Sequence, residues 1–206
     1  MSGYDGIAAV GKSIERMLGL AFKDREPVTG KATRALLVQT EDLSPQLSPT
    51  KIGPYALSIL LYRVDFNKAM RAAWSSVGTA DGRGHLALDL HFLMTPWADN
   101  AEHEHLILGR AMQAIEFAPV LTGPLFYQAT LPSPAYDDEP RARPTEAIQL
   151  LLEEISTEAL MRTFDSLPCD YKLTVPYVAR VARIDTRESR IAPRVVDARI
   201  DLALPT

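Results

Sequence analysis

From Leu86 to Thr95 the chain alternates almost without fault: Leu86, Leu88, Leu90, Phe92 and Met94 share one parity, while Ala87, Asp89, His91, Leu93 and Thr95 share the other. Successive side chains of a β-strand point to opposite faces, so this run predicts a strand with one wholly apolar face. A slip of one residue would turn five large apolar groups outward, which fixes the register. Pro96 ends the run, and Asp99 or Asn100 is placed to cap a helix from about Ala101 to Ala118, which Pro119 stops. An apolar sheet face needs a layer over it, and a helix follows at once. That pair alone points to sheet packed by helix.

The rest of the chain adds elements of both kinds. Residues 5–22 repeat Ile7, Val10, Ile14, Met17, Leu18 and Ala21 at helical spacing, with Lys12, Glu15 and Arg16 on the other side. Arg34 to Thr40 reads as a strand, and Asp24 to Gly30 before it as a loop. Ala56 to Phe66 reads as a strand with Leu57, Ile59 and Leu61 opposite Leu60, Tyr62, Val64 and Phe66. Apolar residues on both faces imply a central strand, covered at least in part on each side. A mixed connection, Asn67 to Gly84, leads to the alternating run. Ala147 to Ile155 reads as a strand, although its Leu-Leu-Leu core also suits a helix, and Thr157 to Leu167 reads as a short helix with Ser156 as its cap. Leu173 to Ile184 and Arg194 to Leu204 flank a polar turn and predict a C-terminal hairpin over 173–204. Between the two halves lies an irregular excursion at 119–146, with six prolines from Pro119 to Pro144 and room for one short strand at 125–130. The expectation is an α+β fold over 1–206 as a single domain: a mixed, mostly antiparallel sheet packed by two or three helices.

Composition excludes more than it selects. With 47% hydrophobic and 23% charged residues in 206, the chain is neither disordered nor collagen-like. A formal net charge of −4 argues against binding nucleic acid or an acidic membrane surface. No apolar run approaches the ~20 residues of a membrane span, the N-terminus lacks a signal-peptide pattern, and the lone Cys169 cannot form an intrachain disulfide. A cytoplasmic protein is expected. No glycine follows Gly123, which removes glycine-rich phosphate loops from the last 83 residues. The glycine-rich stretch from Gly78 to Gly84 lacks the lysine of such a loop, and no Gly-x-Ser-x-Gly elbow is present. His103 and His105 stand two apart, which points them about 200° apart on a helix, where a zinc site wants histidines four apart. Cys169 follows Pro168 at a helix end, where the dipole disfavours a thiolate. Neither catalytic residues, nor a metal, nor a cofactor are expected. The competing reading is a small cytoplasmic enzyme using Asp89 and His91, which share a strand face.

Surface features point instead to partners. Residues 137–170 carry nine acids and three bases, whereas residues 171–201 carry seven bases and four acids. Mixed solvated surface explains this, and so does a head-to-tail interface between an acidic face and a basic hairpin. The candidate contacts are the acidic triplet Asp137, Asp138 and Glu139; the basic Arg180, Arg183 and Arg194; and the aromatic Trp74 and Trp97, for which core packing is the competing reading. Val196, Ala198, Ile200 and Leu202 add an apolar face on the last strand, which either closes its own sheet or augments a partner's. An adaptor binding a single protein partner fits these features too.

The order of these stretches carries a resemblance. Ile7-Ala-Ala-Val-Gly-Lys-Ser-Ile is followed by Ser58-Ile-Leu-Leu-Tyr-Arg-Val-Asp, then by the most specific block, Leu86-Ala-Leu-Asp-Leu-His-Phe-Leu-Met-Thr-Pro-Trp-Ala with His103-Glu-His-Leu-Ile-Leu-Gly-Arg-Ala-Met-Gln, and at the end by Tyr177-Val-Ala-Arg-Val-Ala-Arg-Ile-Asp. Together they resemble the tail-terminator, or cap, proteins of extracellular contractile injection systems, phage-tail-like particles of the antifeeding-prophage and virulence-cassette type. The resemblance implies a phage tail-terminator-like fold and a non-enzymatic assembly role. It implies a ring of subunits, a hexamer, seated on the distal end of the tube and sheath. There it would stop polymerisation and stabilise the extended sheath, with the sheath and inner-tube proteins as partners.

Overall fold

The computed structural model describes residues 5–71, 84–122 and 147–185. The first element, α1, runs Gly6–Asp24 and buries Val10, Ile14, Met17, Leu18 and Phe22, the helical stripe written in its sequence. A short strand β1 (Arg34–Val38) follows, then a 3-10 turn (Thr40–Leu43) and a one-turn helix α2 (Ser48–Lys51). The strand β2 (Ala56–Phe66) and the one-turn helix α3 (Lys68–Arg71) precede the long strand β3 (His85–Trp97). Helix α4 spans Ala101–Phe117, and the Asn100 side chain accepts the backbone N–H of His103, so the cap lies at Asn100. After the two-residue β4 (Val120–Leu121) come β5 (Ile148–Leu152), α5 (Thr157–Asp165) and β6 (Val175–Asp185). Ser156 caps α5 as its sequence predicts, accepting from the N–H of Ala159.

The strands form one six-stranded sheet in the order β1-β2-β3-β6-β5-β4. Only β1 and β2 run parallel; all other neighbours are antiparallel, so the sheet is mixed and mostly antiparallel. The α+β class and the packing by two or three substantial helices are as expected. β6 lies between β3 and β5, paired with β3 from Val175 to Asp185 and with β5 from Tyr177 to Arg180. The second strand of the expected hairpin, like the short strand at 125–130, lies outside the described residues.

Two layers cover the sheet unequally. On one face α1 and α4 pack over the larger core, which takes Leu57 and Ile59 of β2, the Leu88-Leu90-Phe92-Met94 parity of β3, and Tyr177, Ala179 and Ala182 of β6. Each fully buried leucine, isoleucine, phenylalanine or methionine among them contributes roughly 1.5–3 kcal/mol. Gly11 lets α1 settle onto β1: a Cβ there would stand only 3.0 Å from Leu37 Cδ1. Arg110 of α4 donates to the carbonyl of Ala21 and pairs with Asp24, holding a cation at the C-terminal end of α1. The other face carries a smaller core, in which Leu43, Ile52, Leu160 and Phe164 cover Ala56, Leu60 and Leu93.

One expectation about β2 is overturned. Its register with β3 shifts between Leu61 and Arg63, so that Leu61 faces Phe92 but Val64 faces Leu90 and Phe66 faces Leu88. Directly opposed residues share a face. Val64 and Phe66 thus stand with Leu57, Ile59 and Leu61 rather than opposite them, and Arg63 and Asp65 take the other face. A β-bulge at Tyr62 inserts the extra residue that exchanges the faces. The strand is internal as expected, yet only its first five residues are buried throughout; Arg63–Phe66 are exposed.

Candidate functional site

The exchange of faces builds a charged cluster. Arg63 and Asp65 face His91 and Asp89 across the β2–β3 ladder, beyond the reach of the smaller core. Glu153, just after β5, is fixed by its backbone N–H donating to the carbonyl of Pro176, and its carboxylate joins them. Arg63 Nη2 donates to Glu153 Oε1 at 2.8 Å, and Arg63 Nε lies 3.0 Å from Asp65 Oδ2. His91 is buried with Nδ1 2.9 Å from Glu153 and Nε2 3.3 Å from Asp65. Tyr62 donates its hydroxyl to Glu153 at 3.1 Å; burial first, and then the Glu153 charge, push its phenol up to about 12. Asp89 accepts from Asn67 Nδ2 at 3.0 Å and lies 3.4 Å from Arg180 Nε. Three strands and the segment after a fourth thus meet in one set of alternating charges.

Asp89 and His91 do lie on one face of β3, as the alternation predicts. Among the described residues no hydrogen bond joins them: each is spent on its own partners, and both ring nitrogens of His91 already face carboxylates. Two cavities lie elsewhere among the described residues. One of 460 Å³ opens between Pro45, Met161, Phe164, Cys169 and Tyr171, and one of 230 Å³ beside Pro49, Pro54 and Trp97. Burial, followed by the nearby Asp170, pushes the Cys169 thiol up, away from the reactive thiolate. His103 turns to Asp99, Nδ1 to Oδ1 at 2.7 Å, and Tyr55 donates to the same carboxylate at 2.6 Å. Those contacts hold the Asp99 carboxyl below the usual range, the Tyr55 hydrogen bond being the larger cause. His105 is exposed on the far side of α4. Among the described residues no three His, Cys, Asp or Glu side chains converge on a metal position, and no helix is long and apolar enough to cross a membrane.

The interface candidates separate into placed and unplaced. Trp97 is half-buried: its Nε1 donates to Ser58 Oγ at 2.9 Å and Lys172 lies 4.9 Å over its ring, so much of it is packing. Arg180 is exposed beside Asp89, and Arg183, opposite Ala87, lies further along β6 on the same face. Trp74, Asp137, Asp138, Glu139, Arg194, Val196, Ala198, Ile200 and Leu202 lie outside the described residues. The sequence reading missed a different patch. Val64 and Phe66, turned by the bulge onto the helix-covered face, run past the helices and are 44% and 53% exposed; Leu86 on β3 is 38% exposed. They border the outer edge of β2 from Leu61 to Phe66, where β1 has already ended at Leu60. Among the described residues no strand continues β1 along Leu61–Asp65, and apolar side chains beside such an edge suit protein contacts. The sequence signal was there, as large apolar residues at 64 and 66, but the parity assigned to them was wrong.

Comparison with known proteins agrees with this architecture. The family described as the Pvc16 N-terminal domain matches residues 9–198. No curated protein matches the chain. Among solved structures, a cryo-EM structure of an extracellular contractile injection system, the PVC sheath/tube terminator in its extended state, superposes with a TM-score of 0.53 at 16% identity. The superposition covers 97% of this chain and 64% of that one, so the chain spans under two thirds of the terminator's length. At that identity the likeness is one of fold: a mixed sheet with helices, in the same arrangement over nearly the whole chain.

Proposed function

Since the chain belongs to the Pvc16 N-terminal domain family, we propose that it is a structural assembly protein of a contractile injection system. In this reading it caps the distal end of the tube and sheath, terminates polymerisation and stabilises the extended sheath. The observation that carries the proposal is the family match over residues 9–198, joined to the fold shared with a sheath/tube terminator. The geometry supports it. The candidate catalytic pair is tied into a charge cluster of its own, while the described residues include an exposed apolar patch beside the stretch of β2 that β1 does not reach, which suits protein contacts.

A cap must offer the last ring a surface it accepts and present no matching surface beyond. A closed ring of head-to-tail contacts does this, since each subunit's two unlike patches are consumed laterally. We take the ring to be a hexamer, made in the cytoplasm and carried on the finished particle, with residues 1–206 acting as one domain. The test is deletion of the gene in a cell that assembles the particles, followed by electron microscopy. Particles of uncontrolled length, or with prematurely contracted sheaths, are expected. Particles of normal length that stay extended would sink the proposal.

A further inference from the structure

The 460 Å³ cleft lies where α5 gives way to the segment that leads into β6. α5 turns Leu160 and Phe164 into the smaller core and leaves Met161 on its flank, 40% exposed. Tyr171 meets Phe164 edge-on, with ring centroids 5.2 Å apart, yet is itself 46% exposed. Two exposed carboxylates, Asp165 and Asp170, line the same cleft. Neither meets a cation within ion-pair distance among the described residues. The bases nearest to them in sequence are spent elsewhere: Arg162 on Glu158 at 2.7 Å, and Lys172 on Glu104 at 3.0 Å and over the Trp97 ring. Asp165 is also the last residue of α5, where the helix presents the negative end of its dipole and disfavours a carboxylate. Unpaired anions at that end of a helix do nothing for the fold, and sequences break such local rules at functional sites.

We propose that this cleft receives an arginine side chain from a neighbouring protein of the particle, an inference that rests on the structural assembly role argued above. Arginine matches each part of the lining. Its apolar stem suits Met161 and Phe164, while its charged head keeps to the polar rim. The guanidinium pairs with carboxylates through a planar fork and stacks on aromatic faces, and the cleft offers both, in Asp165, Asp170 and Tyr171. Lysine brings a point charge with neither the fork nor the plane. An apolar or acidic anchor would desolvate the two carboxylates without pairing them, which is costly. A bound guanidinium also sets a cation at the C-terminal end of α5, where the dipole favours one. The cleft stands on the face of the sheet that carries the smaller core, whereas Val64, Phe66 and Leu86 stand on the other. The chain thus has two unlike surfaces, as lateral head-to-tail contact requires.

Cys169, the lone thiol of the chain, lines the cleft and serves as its reporter. The full chain is equilibrated at physiological salt and fixed reductant with bis(guanidinoethyl) disulfide, bis(hydroxyethyl) disulfide or dithiodipropionic acid, and the adduct is counted by intact mass. Relative to the same equilibria on the urea-unfolded chain, the guanidinium adduct is expected at least tenfold over the carboxylate and threefold over the hydroxyl. Asp165→Asn should remove most of that preference. Absence of the preference in the wild type overturns the proposal, and so does its survival in Asp165→Asn, since it then belongs to Asp170 beside the thiol. The second arm is particle assembly in the deletion strain. Asp165→Lys combined with Asp170→Lys should cut normal-length, extended particles at least tenfold, whereas Glu154→Lys, which reverses an exposed carboxylate outside the cleft, should not. Should the first variant misfold by circular dichroism, Asp165→Asn combined with Asp170→Asn takes its place. Normal particles from the folded variant overturn the arginine contact and leave the assembly role standing. A deletion strain with normal particles overturns both.

Discussion

His91 places its Nδ1 2.9 Å from Oε1 of Glu153, and this contact ties the β2–β3 half of the sheet to the segment that leaves β5. Glu153 also accepts from Arg63 and Tyr62, so two donors and the His91 ring converge on one carboxylate whose side chain is 11% exposed. Removing it leaves those donors without their acceptor, and an uncompensated group near the interior is more damaging than a lost surface pair. Glu153→Ala is expected to destabilise by about 2–4 kcal/mol, and Glu153→Gln by roughly half as much because the amide oxygen still accepts. Urea denaturation checks both. A change below about 0.5 kcal/mol in the alanine variant would mean that the cluster is ornamental surface.

The same carboxylate controls a tyrosine. Tyr62 is held protonated up to about 12, by burial first and by Glu153 second. A raised folded-state value stabilises the fold fully below the ordinary tyrosine range near 10, and the contribution fades as pH climbs from there through 12. The wild-type chain should therefore lose stability across that alkaline window more steeply than Tyr62→Phe, which has no such proton. In Glu153→Gln, ultraviolet titration should show one tyrosine ionising earlier than in the wild type. An unmoved titration curve would break the link between the two residues.

Asn100 caps α4 through the N–H of His103 and also donates to Asp99. Asn100→Ala should remove about 1 kcal/mol, a fall in melting temperature of about 2–4 °C for a chain of this size. Asp99→Asn is the control: it weakens the Tyr55 and His103 contacts but leaves the cap. A larger loss in the control than in Asn100→Ala, read by calorimetry, would move the terminus of α4 from Asn100 to Asp99.

Those caps and the alternation of β3 were readable because they are local: a cap spans three residues, and a strand's parity needs no partner. What failed to read was what depends on a partner. The bulge at Tyr62 leaves no mark in β2, since Leu61, Tyr62 and Val64 suit either face, and only the ladder with β3 shows that one residue is extra. The insertion of β6 between β3 and β5 was hidden for the same reason. The charge cluster joins residues 62, 63, 65, 91 and 153, positions no spacing rule connects. Trp97 reads from sequence as either a packing anchor or a partner contact, and its indole nitrogen donates to Ser58.

That commitment gives Trp97 a testable role of its own. Trp97→Phe loses the hydrogen bond to Ser58 and part of the Lys172 contact, and should cost about 1 kcal/mol in stability. Because the ring serves mainly the fold, the variant should still cap particles at the wild-type level when supplied to a deletion strain. A stable variant with lost capping would restore Trp97 as a contact residue.

Phe66 and Val64 make the sharper case for a contact. They are 53% and 44% exposed, next to Leu86 and beside the stretch of β2 that β1 does not reach. Exposed single apolar residues are ordinary, and Leu20 on α1, 50% exposed, is one. A contiguous set beside an open edge is different, because it can bury side chains and backbone groups in the same contact. Phe66→Glu should leave folding within about 1 kcal/mol, as surface substitutions usually do. If the patch seats on the tube, the sheath or the neighbouring subunit, the same change places a charge in a desolvated contact and should lower binding by tenfold or more, about 1.4 kcal/mol at least. Leu20→Glu should do neither. The measurement is the fraction of normal-length, extended particles in a deletion strain carrying each variant, with calorimetry of the purified proteins alongside. Equal capping by Phe66→Glu and Leu20→Glu would remove this face of the sheet from the assembly surface, and the contact would then have to be sought on the charged face around Arg180.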